Sequence, residues 1–140
     1  MNKKSILCGA MLALSLGAAH AEVIVVVSAK SGASAISAEQ AADIFMGKVN
    51  TLPGAGAAVP VDQGEASPVR EEFYQKVTGK STTQVKAYWA KQIFTGKGQP
   101  PKEVGDSASV KALVAGNPNL IGYIDKAALD ASVKQLLSIK

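Results

Sequence analysis

The sequence predicts an α/β domain, a mixed sheet flanked by helices. Three observations predict it: a continuous β-branched run at residues 23–27, serine and aspartate caps heading several helix-periodic segments, and the alternation of those segments with short apolar runs. Val23-Ile24-Val25-Val26-Val27 reads as a strand covered on both faces, because a strand with one wet face would alternate apolar and polar residues. A small-residue loop, Ser28 to Ile36, follows it. Ser37 with Gln40 then forms a capping box for a helix from Ala38 to Met46, with Ala41, Ile44 and Phe45 on one face. Gly47 stands where a left-handed residue closes such a helix.

A Pro/Gly/Ala loop from Leu52 to Ala58 leads to a short strand around Val59 to Val61, and Asp62 to Ala66 reads as a turn. Ser67-Pro68 is an N-cap followed by an N1 proline, and the helix it opens places Val69, Phe73 and Val77 on one face until Thr78-Gly79 ends it. Ser81 with Gln84 is a second capping box. Its helix carries Val85, Tyr88, Trp89 and Ile93, and the loop Gly96 to Pro101 stops it. Asp106 or Ser107 caps a short helix with Val110, Leu113 and Val114. After the turn Asn117-Pro118-Asn119 comes the strand Leu120 to Ile124, a helical turn near Lys126 to Leu129, and a last strand near Val133 to Leu137.

Residues 1–21 read as a signal peptide. Lys3 and Lys4 precede an apolar run from Ile6 to Leu16, and Ala19-His20-Ala21 is a small-x-small cleavage site before Glu22. The apolar run is too short to span a bilayer, so a periplasmic location is expected, with no membrane insertion of the mature chain. Cys8 does not make a lipobox, since Leu7 and not a small residue stands just before it and most of the apolar run follows it. Residues 22–140 then form one domain, large enough to bury about two-thirds of its unfolded surface. The chain's one cysteine, Cys8, and its one histidine, His20, leave with the leader. The mature part therefore offers no disulfide, thiolate nucleophile, zinc finger or imidazole base. Its 13 basic and 11 acidic residues form no basic stripe with interleaved aromatics, which sets nucleic acid aside.

Four blocks in order resemble the phosphate-binding proteins of ABC importers. Ile44-Phe45-Met46-Gly47-Lys48 is similar to that family's "IFxGK" helix end. Ser67-Pro68-Val69-Arg70-Glu71-Glu72-Phe73 sits where it has "SGTRxxF". Tyr88-Trp89 with Phe94-Thr95-Gly96-Lys97 resembles its tryptophan helix and glycine loop, and Ile121-Gly122-Tyr123 its "IGY" strand. The likeness runs from about Val23 to Leu137 and implies a single lobe, the second, of a type II periplasmic binding fold, in which two lobes clamp a tetrahedral anion. The first lobe's anion loops have no counterpart.

The resemblance implies a ligand site at Ser67, Val69, Arg70 and Gln63. A hydroxyl and backbone N–H groups at a helix N-terminus suit a dianion, and an upstream arginine adds a bidentate fork. This sequence departs from the pattern. Pro68 replaces a glycine and removes an N–H, Val69 replaces a threonine and removes a hydroxyl, and Gln63 falls where the arginine belongs. Glu65 in the same loop repels an anion. Arg70 on its own reads equally as a solvated surface charge, and Asp43, Asp62, Glu65, Glu71 and Glu72 as a solvated face with no metal spacing. Gly54-Ala55-Gly56 has the wrong order for a nucleotide loop.

Two functions follow. The leading one is a periplasmic binding protein for phosphate or another small oxyanion, related to the substrate-binding component of the phosphate ABC transporter. The other is a ligand-less accessory or protein-interaction module of the envelope, pairing with itself as a homodimer or with an envelope partner. No spacing suggests an enzyme, and no cofactor is expected.

Overall fold

A computed structural model describes residues 22–140; the expected signal peptide at 1–21 lies outside the described residues. The elements, in chain order, are β1 (Val23–Ser28), α1 (Ala38–Phe45), β2 (Thr51–Leu52), β3 (Gly56–Ala57), β4 (Val59–Asp62), α2 (Pro68–Thr78), α3 (Thr82–Phe94), β5 (Lys102–Glu103), α4 (Ser107–Ala115), β6 (Leu120–Asp125), a 3₁₀ turn (Lys126–Ala128) and β7 (Val133–Ile139). Both expected capping boxes form, Ser37 with Gln40 and Ser81 with Gln84. Ser67 caps α2, with Pro68 in its first turn. Asp106, not Ser107, caps α4.

Five strands make one mixed sheet in the order β5-β4-β6-β1-β7. β1 runs antiparallel to both of its neighbours, pairing Val25 with Tyr123 of β6 and with Leu137 of β7. β4 runs parallel to β6 and to β5. Every β1 residue is buried, as its unbroken β-branched run requires, and alternate residues serve different cores. Val23, Val25 and Val27 face α1, α2 and α3, together with the aromatic residues. Ile24 and Val26 face α4 with Val110, Val114 and Ile124.

The first core is built on rings. Phe73 stacks on Tyr123 at 4.0 Å and meets Phe45 edge-on at 4.7 Å, pairs worth about 0.5–1.5 kcal/mol each beyond their burial. Gly47, at φ 74°, ends α1 directly under Trp89, and a Cβ there would stand 2.7 Å from the indole. Glycine is thus required both by the left-handed turn and by the close approach. β7, the long edge strand, is not left bare. Ile36 N–H donates to Leu136 O at 3.3 Å, and Lys134 Nζ donates to Ser31 O at 2.6 Å.

Several expectations need correction. The expected Leu52–Ala58 loop is largely the hairpin β2–β3, two strands of two residues each, and β5 follows the Gly96–Pro101 loop; strands this short carry no periodicity. The buried face of α2 is rotated by one position from the expected one. Arg70, Phe73 and Tyr74 are buried, while Val69 and Val77 sit half-buried at the margin. Ile93 and Leu113, apolar members of α3 and α4, are 48% and 43% exposed. Asp62 ends β4 and is buried, not part of a solvated turn.

Candidate functional site

The segment joining β4 to α2 and the first turn of α2 hold the expected ligand residues, Gln63 and Ser67 in the former and Val69 and Arg70 in the latter. Ser67 adopts extended backbone at φ −72°, ψ 121°, and its Oγ accepts the Arg70 N–H at 3.2 Å. Pro68 has no N–H to offer. The Val69 N–H therefore remains the free donor of that first turn among the described residues.

Beneath this turn lies a buried polar network in which Arg70 Nε alone lacks a hydrogen-bond partner among the described residues. The Gln63 side chain is buried, and its amide donates to Tyr123 O at 2.9 Å and to Ser107 Oγ at 3.1 Å. Its Oε1 accepts the Ser67 hydroxyl at 2.7 Å. Arg70 is buried as well: its Nη1 donates to Glu103 Oε1 at 2.7 Å and to Gln63 O at 3.2 Å, and its Nε lies 3.8 Å from Asp62 Oδ1. This overturns the reading of Arg70 as a solvated charge. Its face of α2 is closed by β4 and β5, which bring Asp62 and Glu103 to it.

Asp62 anchors the network. Tyr74 donates to its Oδ2 at 2.6 Å, Tyr123 donates to Oδ1, and the Gln63 N–H donates to Oδ1 at 2.9 Å. Burial pushes the Asp62 carboxyl above its ordinary value, while the tyrosine donors and the Arg70 charge pull the other way. Burial also raises both tyrosines, helped by the Asp62 charge, so each remains a donor at neutral pH. Burial works against the charge on Arg70, but Asp62 and Glu103 outweigh it and hold the guanidinium protonated.

Above the network, α2, α4 and the 3₁₀ turn open onto a shallow hollow of about 510 Å³. Ser67, Val69 and a sliver of Gln63 line it; Arg70 does not. The structure thus brings Ser67 and Val69 to an open surface, buries the Gln63 amide beneath them, and takes Arg70 elsewhere. Two carboxylates that sequence reasoning did not place here complete the wall. Asp106 caps α4, accepting Ser109 N–H at 2.9 Å, and Asp125 caps the 3₁₀ turn, accepting Ala127 N–H at 3.0 Å. Those hydrogen bonds hold Asp106 below the ordinary carboxylate range, so it is charged at neutral pH. No lysine or arginine lines the hollow, and the remaining wall is mainly proline, valine and alanine. The cap at Asp106 was legible in the sequence, but its meeting with Ser67 was not, because the fold alone joins them.

Arg70 faces a second, smaller hollow of about 200 Å³, walled by Glu65, Thr82, Thr83 and Lys86. There Lys86 Nζ pairs with Glu65 Oε1 at 3.3 Å, so the opposite charges already answer one another. Among the described residues no group of three or more acidic, cysteine or histidine side chains is placed to hold a metal ion. No helix there is long and apolar enough to cross a membrane.

No protein-family model matches the chain, and no curated protein matches it by sequence. Solved structures do. Over 82% of its length the chain superposes, with a TM-score of 0.65 and 22% identity, on 44% of a protein from Clostridium perfringens described as a phosphate ABC transporter substrate-binding protein with bound phosphate. An ABC-type phosphate transport receptor from Vibrio cholerae gives 0.65 at 18% identity, with 45% of its length covered. PstS from Borrelia burgdorferi gives 0.61 at 15%, with 46% covered. The chain therefore spans less than half the length of these proteins. Its fold is one α/β lobe of that binding-protein architecture, as the sequence motifs imply.

Proposed function

We propose that the chain is a single binding-protein lobe whose ligand face serves as a protein-contact surface and not as a phosphate site. One observation carries this reading. The polar side chains expected to meet an oxyanion, Gln63, Ser67 and Arg70, are hydrogen-bonded into the fold, and the open surface above them carries Asp106 and Asp125 without a cation. An oxyanion there would meet two carboxylates, each repelling it by about 1 kcal/mol at ~4 Å even in water. Against that stand the Val69 N–H and the dipoles of α2 and α4, with no cationic side chain to add to them. An envelope location rests on the leader sequence of residues 1–21, and participation in transport would need a permease partner.

A second reading, weak binding of phosphate or a similar oxyanion, is favoured by one feature: the N-termini of α2 and α4 converge on the same hollow. Calorimetric titration of the purified protein with phosphate, then sulfate, decides between the two. No heat and no rise in melting temperature at millimolar anion is the expected result. Micromolar binding that disappears in Ser67→Ala would overturn the protein-contact reading and restore the oxyanion site.

A further inference from the structure

The C-terminal end of α3 carries a feature that the fold does not use. Phe94 is 92% exposed, and Ile93 beside it is 48% exposed. Exposed single leucines and valines are ordinary, but a phenylalanine with almost its whole ring in water forgoes the largest apolar burial open to it. Lys91 and Lys97 flank this knob, both exposed and neither ion-paired among the described residues. The knob is thus apolar at its tip and cationic at its sides.

The hollow between α2 and α4 has the opposite character. Its walls are Pro68, Val69, Ala108 and Ala128, its charges are Asp106 and Asp125, and it holds no cation. Asp106 Oδ2 and Asp125 Oδ2 accept no hydrogen bond among the described residues, which leaves both carboxylates open to a partner. At about 510 Å³ the hollow is roomy enough for an aromatic ring.

We propose that the two surfaces fit each other between copies of this chain. Ile93 and Phe94 of one molecule enter the α2–α4 hollow of the next, with Lys91 and Lys97 facing Asp106 and Asp125. The apolar tip supplies burial, and the charges supply orientation and partner choice. Each molecule carries both a knob and a hollow, so the contact either closes reciprocally as a two-fold dimer or repeats head-to-tail into rings or chains. This assignment names the partner within the protein-contact reading above. It requires only that the hollow be free of a bound anion, which the phosphate titration tests separately from assembly.

Sedimentation velocity over a concentration series tests it, with two substitutions at exposed positions where folding is not at stake. Phe94→Ser removes the knob, and Ala127→Arg obstructs the hollow and reverses its charge. The wild-type protein is expected to associate with rising concentration, and less so in high salt. Each variant weakens association by about tenfold or more. An equimolar mixture of the two variants pairs as closed 1:1 dimers, because one retains the hollow and the other the knob. A wild-type protein monomeric throughout, association unchanged by Phe94→Ser, or variants that fail to complement would overturn the proposal. So would a monomer that uses Phe94 to bind anionic lipid vesicles.

Discussion

α2 and α4 begin on the same hollow, yet they are held in opposite ways. The first turn of α2 is wired inward: Ser67 to Gln63, Arg70 to Glu103 and Gln63, and Asp62 beneath them to two tyrosines. At the first turn of α4, Asp106 is exposed and bonds only to the turn it caps, and the one inward tie is Ser107 Oγ, which accepts from the Gln63 amide and the Asp125 N–H. The difference teaches where each charge is spent. Arg70 and Asp62 are committed to holding β4, β5 and α2 together, whereas Asp106 keeps its charge at the surface.

Breaking the inward wiring has the largest expected effect. Asp62→Ala strips the acceptor from the Tyr74 and Tyr123 hydroxyls and leaves Arg70 short of a partner, at about 3–5 kcal/mol. Urea unfolding measures it; a loss as small as that of Asp106→Ala would collapse the contrast. Asp62→Asn sharpens it through pH. Burial raises the folded pKa of Asp62 above its ordinary 3.8, so the stability tied to its protonated form is complete below that value and lost as pH rises through the folded pKa. The asparagine variant, which cannot titrate, lacks this decline in urea midpoints taken between about pH 3 and pH 7.

On the α4 side, packing and not charge sets the next effect. A Cβ at Gly122 would stand 2.5 Å from Val110 Cγ1 and 3.3 Å from Val114 Cγ2, so Gly122→Ala forces α4 off the sheet. Thermal melting is expected to register about 1–3 kcal/mol of destabilisation. The caps give the smallest pair. Ser67→Ala and Asp106→Ala each lose a helix cap worth about 1 kcal/mol. The serine variant falls further, because it also frees the buried Gln63 Oε1, and equal losses would show the inward bond to be idle.

These contrasts were unevenly legible in the sequence. Ser37, Ser67, Ser81, Gly47 and Gly79 announced their roles because caps and left-handed turns are decided within four residues. β1 was equally plain, since only a strand covered on both faces tolerates five β-branched residues in a row. Arg70 was misread because its partner Glu103 lies 33 positions away and the strand that carries it is two residues long. Gln63 was placed in the site by its position beside Ser67. That its amide turns inward depends on Tyr123, 60 positions on. Local chemistry marks where a helix starts; it does not mark what lies behind it.

The position of β1 also sets a timetable. Among the described residues it is the first strand in sequence and the most deeply buried, yet its partners β6 and β7 are the last two. No local hairpin satisfies it, because its backbone partners lie about a hundred residues further along the sequence. The central pairings β1–β6 and β1–β7 therefore form only once those distant segments are brought together, which makes this sheet one of high contact order.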